Sequence, residues 1–493
     1  MEHIYPLFVA IPLGVAFLIL LFPKSLTKLV EGIVALSSIS LMIMALLLIN
    51  KESFTYVIGA WRVPYGIILV SDPLSTLLLI IVSIVGLLSI LYAFRYMDMY
   101  TSKIRFYSLF MLMVAGMNGV IITGDMFNLF VFIEIATIAS YALVGFGCEP
   151  DELEASFKYM VLGCVSSSFI LLGVAILYAD FGTLNMGDLS NLISTQGADN
   201  AVLFTAALFI MGFGLKAALV PFHAWLPDAH PSAPAPISAM LSGVLIKACG
   251  IYALIRVVYH VIGMTSLIQI IFMTMGVLSM IIGVMLAVGQ WDFKRLLAYH
   301  SISQMGYVMV GIGLGTPLGI FGGLFHLINH ALFKSLLFLC SGAIEYSTGT
   351  RYLKEMGGLR KKMPVTAGSG IIAALSISGV PPFNGFFSKL IIIIALVQAG
   401  YYTVAAITVA VSFLTLVSFI KVQRYSFFGE LPEKLKNVKE VPVLMQTAMV
   451  IFAILCIGTA LLYPFYGEAV IGSARDIILN RQGYIQLVLQ VMQ

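Results

Sequence analysis

Apolar segments about twenty residues long follow one another through almost the whole chain of 493 residues. Hydrophobic residues make up 60% of the sequence, and charged residues only 10%. A segment of this length and composition crosses the hydrocarbon core of a bilayer as a helix. The sequence therefore predicts an all-α polytopic membrane protein with about fourteen transmembrane helices. These runs lie at residues 4–22, 29–49, 71–94, 104–122, 126–146, 156–179, 200–226, 236–259, 264–289, 295–315, 317–341, 366–399, 402–425 and 443–466.

The basic residues are divided unevenly between the loops. Of the 27 Lys and Arg residues, eighteen lie in loops that follow odd-numbered runs and four lie inside runs. The other five are Lys51, Arg62, Arg256, Arg475 and Arg481. Loops rich in Lys and Arg stay in the cytoplasm. We therefore expect a multi-pass protein of the cell membrane with both termini outside. The first run lacks a basic start and a cleavage site, so it is expected to be a retained helix.

Several classes of function are disfavoured by what the sequence lacks. The five cysteines stand singly, without the spacing typical of zinc, haem or iron-sulfur ligands. The net charge is only +4, and no basic run indicates a nucleic-acid partner. No phosphate-binding loop or nucleophile motif is visible. We expect no metal, no cofactor, no nucleic acid and no catalytic site in this chain itself.

Three pairs of similar segments indicate an internal repeat. The pairs are residues 140–145 with 306–311, 155–161 with 331–337, and 221–225 with 382–386. Each pair is five runs apart, and because five is odd, the two units must cross the membrane in opposite senses. Inverted repeats of this kind are typical of transporters. The predicted repeats are runs 4–8 and runs 9–13. The predicted domains are residues 1–103, 104–260, 261–428 and 429–493, the last including an amphipathic tail.

Helix-breaking residues lie within two of these runs, at corresponding places in the two repeats. Pro221 lies in run 7, and Pro381 and Pro382 lie in run 12. Proline removes a backbone donor and clashes with the preceding turn of a helix. Broken helices at matching positions of two repeats are a sequence indication of an ion site.

Seven ionisable side chains well inside the apolar runs are the candidates for an ion path. They are Glu134, Lys216, Lys247, His326, His330, Lys334 and Lys389. Each costs at least about 2.5 to 3.5 kcal/mol to place at the centre of a bilayer, so such residues mark ion pathways more often than chance. We predict that they carry protons. Glu134 and Lys216 are predicted to form a pair in the first repeat, and Lys389 follows the break in the second.

Static interpretations remain open for each of these residues. Glu134 and Lys216 could form a fixed ion pair, and Lys247 could be held permanently by backbone carbonyls. His326 and His330 share one helix face and could relay protons or only satisfy interior hydrogen bonds. Lys334 could simply extend to water at the cytoplasmic interface. The stiff loop 221–236 could admit protons through His223, Asp228 and His230, or it could be a packed plug.

The motifs resemble the antiporter-like subunits shared by Mrp cation/proton antiporters, membrane-bound hydrogenases and respiratory complex I. The resemblance extends over about residues 70–430. It rests on residues 132–134, Lys158-Tyr159, Lys216, residues 221–230, Lys247, His326, residues 330–334, Pro381-Pro382 and Lys389. It implies fourteen helices with inverted five-helix units and a proton-translocation axis through the matching residues. A lysine at position 389 resembles the D-type chain of Mrp antiporters and its hydrogenase counterparts.

The leading hypothesis is a proton-translocating subunit of a multisubunit membrane complex. It would couple H⁺ movement to Na⁺ transport or to a redox module, with other membrane subunits as partners. In the second case it would be a proton-pumping part of an oxidoreductase. The alternatives are a stand-alone secondary transporter of a small solute and a structural membrane anchor. The single mid-membrane glutamate among lysines favours protons over sodium as the ion in this chain.

Overall fold

The computed structural model describes residues 2–61 and 63–490, and this part of the chain is mostly helical. Arg62 and residues 1 and 491–493, which belong to the predicted loops and terminal domains, lie outside the described residues. The eighteen helices of the described part are α1 Leu7–Leu18, α2 Thr27–Leu47, α3 Pro73–Tyr96, α4 Lys103–Ile122, α5 Met126–Val144, α6 Pro150–Phe181, α7 Met186–Gln196, α8 Asn200–Lys216, α9 Leu226–Ser232, α10 Ala235–Ile262, α11 Ser266–Val288, α12 Phe293–Gly313, α13 Pro317–Thr348, α14 Pro364–Ser378, α15 Asn384–Gln398, α16 Tyr402–Ser426, α17 Val443–Leu479 and α18 Arg481–Leu489.

Each of the fourteen apolar runs contains at least one helix. Ten helices of the described chain are long and apolar enough to cross a membrane. Run 7 is helical only as far as Lys216, where α8 ends. Run 12 forms two helices, α14 and α15, with a break between them. The predicted polytopic, mainly helical membrane fold is confirmed.

Short polar loops determine where several helices begin. Asp72, Asp125, Asp199 and Asp292 each precede a helix, and each side chain accepts a hydrogen bond from a backbone N–H of the first turn. These N–H groups have no partner within the helix, so the carboxylates stabilise the helix ends. These capping residues therefore define where the helices begin.

The helices that carry most of the predicted ion-path residues lie at the centre of the molecule. The apolar portions of α10 and α13 are buried along their whole length. Those of α2 and α16, in contrast, are only one-third buried. Lys247 lies in α10, and His326, His330 and Lys334 lie in α13. These side chains therefore face protein and not lipid, as ionisable groups in a membrane require.

The fold contains elements that the sequence patterns did not indicate. Strands β1 Phe54–Val57 and β2 Ile68–Ser71 form a small antiparallel hairpin, so the chain is not purely α. Helix α9 occupies much of the segment 221–236, which had been predicted to be a loop. The tail after run 14 docks on its own chain, because the Arg481 guanidinium donates to Val261 O at 2.6 Å and to Ser190 O at 3.1 Å.

Two basic residues assigned to loops are buried in ion pairs. Arg256 lies within α10, and its guanidinium pairs with Asp72 at 2.5 Å. Lys294 lies in the first turn of α12 and pairs with Glu345 at 2.7 Å. Arg256 had been counted with the loops that hold few Lys and Arg residues, and Lys294 with the loops that hold many. Without these two residues, the basic residues are still distributed unevenly between the two sets of loops. Sorting charges by loop cannot detect side chains that fold back into the protein.

Candidate functional site

The first break follows Lys216, the last residue of α8. The chain leaves the helix at Ala217, and Ala218 adopts a positive φ of 54°. The break therefore begins four residues before Pro221, which had been predicted to cause it. The indole of Trp225 donates to Leu215 O at 3.0 Å, and the same carbonyl accepts from Ala218 N at 3.1 Å. Lys216 is thus held at a fixed helix end.

Lys216 and Glu134 meet across α8 and α5. The Lys216 amino group lies 3.7 Å from a Glu134 carboxylate oxygen. Ser167 of α6 joins the two, since its hydroxyl donates to Glu134 and accepts from Lys216 at 3.0 Å. The Lys216 side chain is 2% exposed, whereas that of Glu134 is 25% exposed. Lys216 is therefore buried and held in place, whereas the Glu134 carboxylate is partly exposed.

The end of α8 packs closely against the middle of α10. A Cβ atom on Gly250 would lie 2.7 Å from the Ala217 backbone, so only glycine permits this approach. Lys247 lies three residues earlier, in a stretch of α10 with the wider turns of a π-helix. Its amino group donates to Ser242 O at 2.5 Å. The wider turns leave carbonyls available to side chains, and such turns often mark functional sites.

The two histidines of α13 have different surroundings. The His326 ring has Ser388 Oγ at 3.0 Å and Gln304 Oε1 at 3.2 Å on its two nitrogens. The His330 ring is fully buried, and neither of its nitrogens has a hydrogen-bond partner in the described chain. A buried polar group without a partner is costly to keep and is uncommon in native proteins. His326 is thus held by hydrogen bonds on both nitrogens, and His330 by none within the described chain.

Lys334 does not extend to interfacial water. Its side chain is fully buried, and its amino group donates to Leu297 O of α12. The amino group also lies 5.5 Å from the centre of the Phe338 ring. The alternative in which Lys334 only reaches for the membrane surface is therefore wrong. The residue lies midway along a 32-residue helix, too far from either end for its side chain to emerge.

The second break separates α14 from α15 and holds Lys389. Helix α14 ends at Ser378, and Gly379 follows with a φ of 73°. The Lys389 amino group reaches back across the break and donates to Ile377 O at 2.7 Å and to Ser412 Oγ at 3.2 Å. It also lies 4.8 Å from the centre of the Tyr307 ring. Lys389 thus occupies the free carbonyl end of a broken helix, a favourable place for a cation.

Gly385 is expected to be indispensable at this break. A Cβ atom there would lie 1.8 Å from Ser376 O, so Gly385→Ala must push α15 away from α14. We expect a loss of about 2 kcal/mol or more in the free energy of unfolding. Gly368→Ala on the exposed side of α14 is the matched control, because its Cβ would have no atom within 4 Å. Thermal unfolding of the purified proteins in detergent measures both, and equal stabilities would contradict the close packing.

The three residues predicted to take up protons do not lie together. Asp228 lines an open cavity and pairs with Lys158 at 3.2 Å and Arg295 at 3.4 Å. His230 is fully buried beneath this cavity, stacked on Phe338 at a ring distance of 4.5 Å. His223 is half-buried and does not line the cavity. Asp228 therefore meets solvent, whereas His230 lies in the core, and proton entry through this segment stays a prediction.

One buried histidine close to these groups escaped the sequence analysis. His300 of α12 is fully buried, and its ring lies 2.8 Å from Ser418 Oγ. It lies three residues after Leu297, whose carbonyl accepts from Lys334. The signal was present, because His300 lies inside run 10 as His326 and His330 lie inside run 11. Lys294 and Glu345 were also missed, since both lie at ends of runs where charge is ordinary.

The three central lysines share one property. Lys247, Lys334 and Lys389 each donate to neutral oxygens, and none of the ion pairs in the described part of the chain includes them. Lys216, in contrast, has the carboxylate of Glu134 nearby. Among the described residues, no group of three or more His, Cys, Asp or Glu side chains could hold a metal ion. The candidate site is therefore a set of buried ionisable groups, of which only Lys216 has a carboxylate partner.

This fold and this set of buried ionisable groups define a polytopic membrane protein. Residues 123–415 match the family model described as NADH:quinone oxidoreductase/Mrp antiporter, transmembrane. Residues 58–107 match the N-terminal model of complex I chain 5. The chain belongs to the NADH:quinone oxidoreductase/Mrp antiporter family.

Individual relatives cover almost the whole chain. The D-type chain of the Na⁺/H⁺ antiporter of Alkalihalophilus pseudofirmus is 36% identical over 99% of this chain and 100% of its own. A chain of the Mrp complex from Dietzia sp. has a TM-score of 0.92 at 30% identity and covers 99% of both chains. A chain of the membrane-bound sulfane sulfur reductase, an archaeal respiratory membrane complex, has a TM-score of 0.91 at 31% identity, with 99% and 100% covered. The predicted family and the predicted class, an antiporter-type subunit of a multisubunit membrane complex, are confirmed.

Proposed function

We propose that this chain conducts protons through six of the seven predicted residues, with Lys334 acting only by its charge, in company with other membrane subunits. Glu134 and Lys216 act as a charge switch, and Lys247, His330, His326 and Lys389 pass the proton across the middle of the membrane. The observation that carries the proposal is the series of buried lysines held only by neutral oxygens. Burying an ammonium without a counter-ion costs free energy, and this cost favours release of the proton from each lysine to a neighbouring group.

The switch acts through charge. When Glu134 and Lys216 are paired, the carboxylate offsets the charge of the lysine. When the pair separates, the uncompensated charge of Lys216 lies at the helix end that packs against α10, close to Lys247. A positive charge there disfavours a proton on Lys247, which passes it toward the histidines. Lys334 and His300 border the same series and influence it by their charge.

We infer fourteen membrane crossings for the chain, with the two inverted repeats in runs 4–8 and 9–13. The corresponding domains are residues 1–103, 104–260, 261–428 and 429–493. Support comes from the helices found in all fourteen runs and from the two breaks, which hold Lys216 and Lys389 at related places. The uneven distribution of Lys and Arg supports a cell-membrane location with both termini outside.

We propose that the complex to which this chain belongs is a cation antiporter, in which Na⁺ exchange is coupled to proton movement. A relative named as the D-type chain of a Na⁺/H⁺ antiporter matches along the entire chain and favours coupling to Na⁺ exchange. The likeness to a chain of an archaeal respiratory complex supports redox-driven pumping as the second candidate. The two differ in the subunits that purify with the chain, since only the second requires redox proteins.

The charge switch predicts the behaviour of Glu134→Gln. This substitution keeps the shape and removes the charge, so Lys216 loses its counter-ion permanently. We expect proton-coupled transport by the assembled complex in vesicles to fall at least about tenfold. Glu433→Gln is the matched control, because Glu433 belongs to an exposed pair with Lys436. Unchanged transport in Glu134→Gln and in Lys216→Met would contradict the switch.

A further inference from the structure

A polar cavity opens on the side of the molecule where α6, α9 and α12 meet. Its volume is about 670 Å³, and its wall includes Asp228, Asp292, Arg295 and Arg351. We call this cavity the vestibule. Charges of both signs line it and pair with one another, as with Asp292 and Arg351 at 2.6 Å. Burial lowers the pKa of the Arg351 guanidinium, but the charges of Asp292 and Glu345 more than offset this and raise it overall. Arg351 therefore stays charged beside the cavity.

A buried ion pair lies directly behind the vestibule wall. Glu345 of α13 has one carboxylate oxygen 2.7 Å from the Lys294 amino group and the other 3.9 Å from Arg351. The Glu345 side chain is 25% exposed, and that of Lys294 is only 3% exposed. Lys294 also donates to Ala233 O at 3.3 Å, in the turn between α9 and α10. The carboxylate is thus partly exposed beside Arg351, which lines the vestibule, and the lysine is buried.

His230 belongs to the chain segment that Lys294 contacts. It is three residues from Ala233, it is fully buried, and neither ring nitrogen has a partner in the described chain. His230 stacks on the Phe338 ring at 4.5 Å, and the Lys334 amino group lies 5.5 Å from the centre of the same ring. His330 lies four residues before Lys334 in α13 and has the same lack of partners in the described chain. Two unpartnered histidines therefore connect the region of Lys294 with the centre of the proposed path.

We propose that Glu345 and Lys294 form the proton inlet from the vestibule to His230. Glu345 takes a proton from water in the vestibule and becomes neutral. The Lys294 ammonium gives one of its protons, through an intervening water, to a ring nitrogen of His230, and the neutral amine takes the proton from Glu345. The result is one proton moved inward, with Glu345 and Lys294 returned to their starting charges. This inlet rests on the proposed proton path, because it delivers the proton to that path.

A purely structural ion pair explains less of this arrangement. A static pair would hold α12 to α13, but it would leave His230 as a fully buried imidazole with two unsatisfied nitrogens. A static pair also requires no contact with water, whereas Glu345 keeps a quarter of its side chain exposed. The relay uses both features: the exposed carboxylate receives the proton, and the unpartnered histidine accepts it.

Variants that remove one or both charges of the Glu345–Lys294 pair distinguish a proton relay from a structural bridge, that is, an ion pair that only holds α12 to α13. The variants are Glu345→Gln, Lys294→Met and the double variant, each in the complex purified with its partner subunits and placed in vesicles. Removing one member leaves a buried charge without a partner, and removing both does not. A structural bridge therefore predicts that the double variant regains transport. The relay predicts that transport in all three variants falls about tenfold or more and that the double variant does not recover.

The controls distinguish this inlet from the proposed function as a whole. Glu355→Gln removes an exposed carboxylate ten residues further along the chain and should transport protons at the parental rate. Glu345→Asp keeps a proton acceptor and should retain more transport than Glu345→Gln at equal amounts of assembled complex. Recovery of the parental rate in the double variant would overturn the inlet while leaving the path intact. Parental rates in Lys247→Met as well would overturn the path itself.

Discussion

Replacing Lys247 by methionine is expected to abolish proton-coupled transport by the assembled complex, with a loss of at least about a hundredfold. Lys247 is fully buried at the centre of the proposed path, and its amino group is bound to Ser242 O at 2.5 Å. Methionine has a similar length and fills the same space without a proton-binding group. The expected cause is therefore a missing step in proton transfer and not a misfolded protein.

Lys247→Arg tests whether Lys247 must exchange a proton or only carry a positive charge. Arginine keeps a positive charge and hydrogen-bond donors at this position, but it does not release a proton in proteins. If Lys247 only anchors carbonyls of α10, arginine should restore transport to Lys247→Met. If it carries the proton, arginine should be as inactive as methionine. The measurement is acidification of vesicles that hold equal amounts of complex, with Lys361→Met on the exposed loop before α14 as the control.

The helices themselves could be predicted because bilayer thickness leaves few choices. A twenty-residue apolar run must satisfy its backbone internally, so it forms a helix wherever it crosses lipid. Where the helix ends inside a run is decided by neighbouring segments. Run 7 stops at Lys216 because Trp225 binds Leu215 O and because Gly250 admits Ala217 against α10. Pro221 marked the correct region but not the correct residue.

The members of the site could be found from the sequence, but their environments could not. A charge in a long apolar run is visible without a structure, and this identified Glu134, Lys216 and Lys247. The burial of Lys334 depends on α12, which supplies Leu297 O from 37 positions away in the chain. Lys294 and Arg256 counted as loop charges because their partners, Glu345 and Asp72, are distant in sequence. Pairing between distant segments is the information that a single sequence lacks.

The pair of Asp72 and Arg256 provides a contrast, because its partners are fixed on every side. Asp72 caps α3 by accepting from Ser75 N at 2.8 Å, and it also holds the Arg256 guanidinium at 2.5 Å. Arg256 in turn donates to Tyr252 at 2.9 Å and lies 3.2 Å from a ring nitrogen of His260. Both charged side chains are at most 5% exposed. We therefore assign this pair to the stability of the fold.

Arg256→Met is expected to lower the free energy of unfolding by about 3 to 5 kcal/mol, because it leaves the Asp72 carboxylate buried and unpaired. The double variant Asp72→Asn with Arg256→Met should recover most of this loss, since asparagine still caps α3 and no charge is left alone. Unfolding in detergent measures both, and Lys436→Met in an exposed pair should change stability by less than about 1 kcal/mol. The double variant at Asp72 and Arg256 is expected to recover stability, because stability requires only that no buried charge is left unpaired. The double variant at Lys294 and Glu345 is not expected to recover transport, because proton transfer requires the groups themselves. A double variant as unstable as Arg256→Met would show that these two charges do more than neutralise each other.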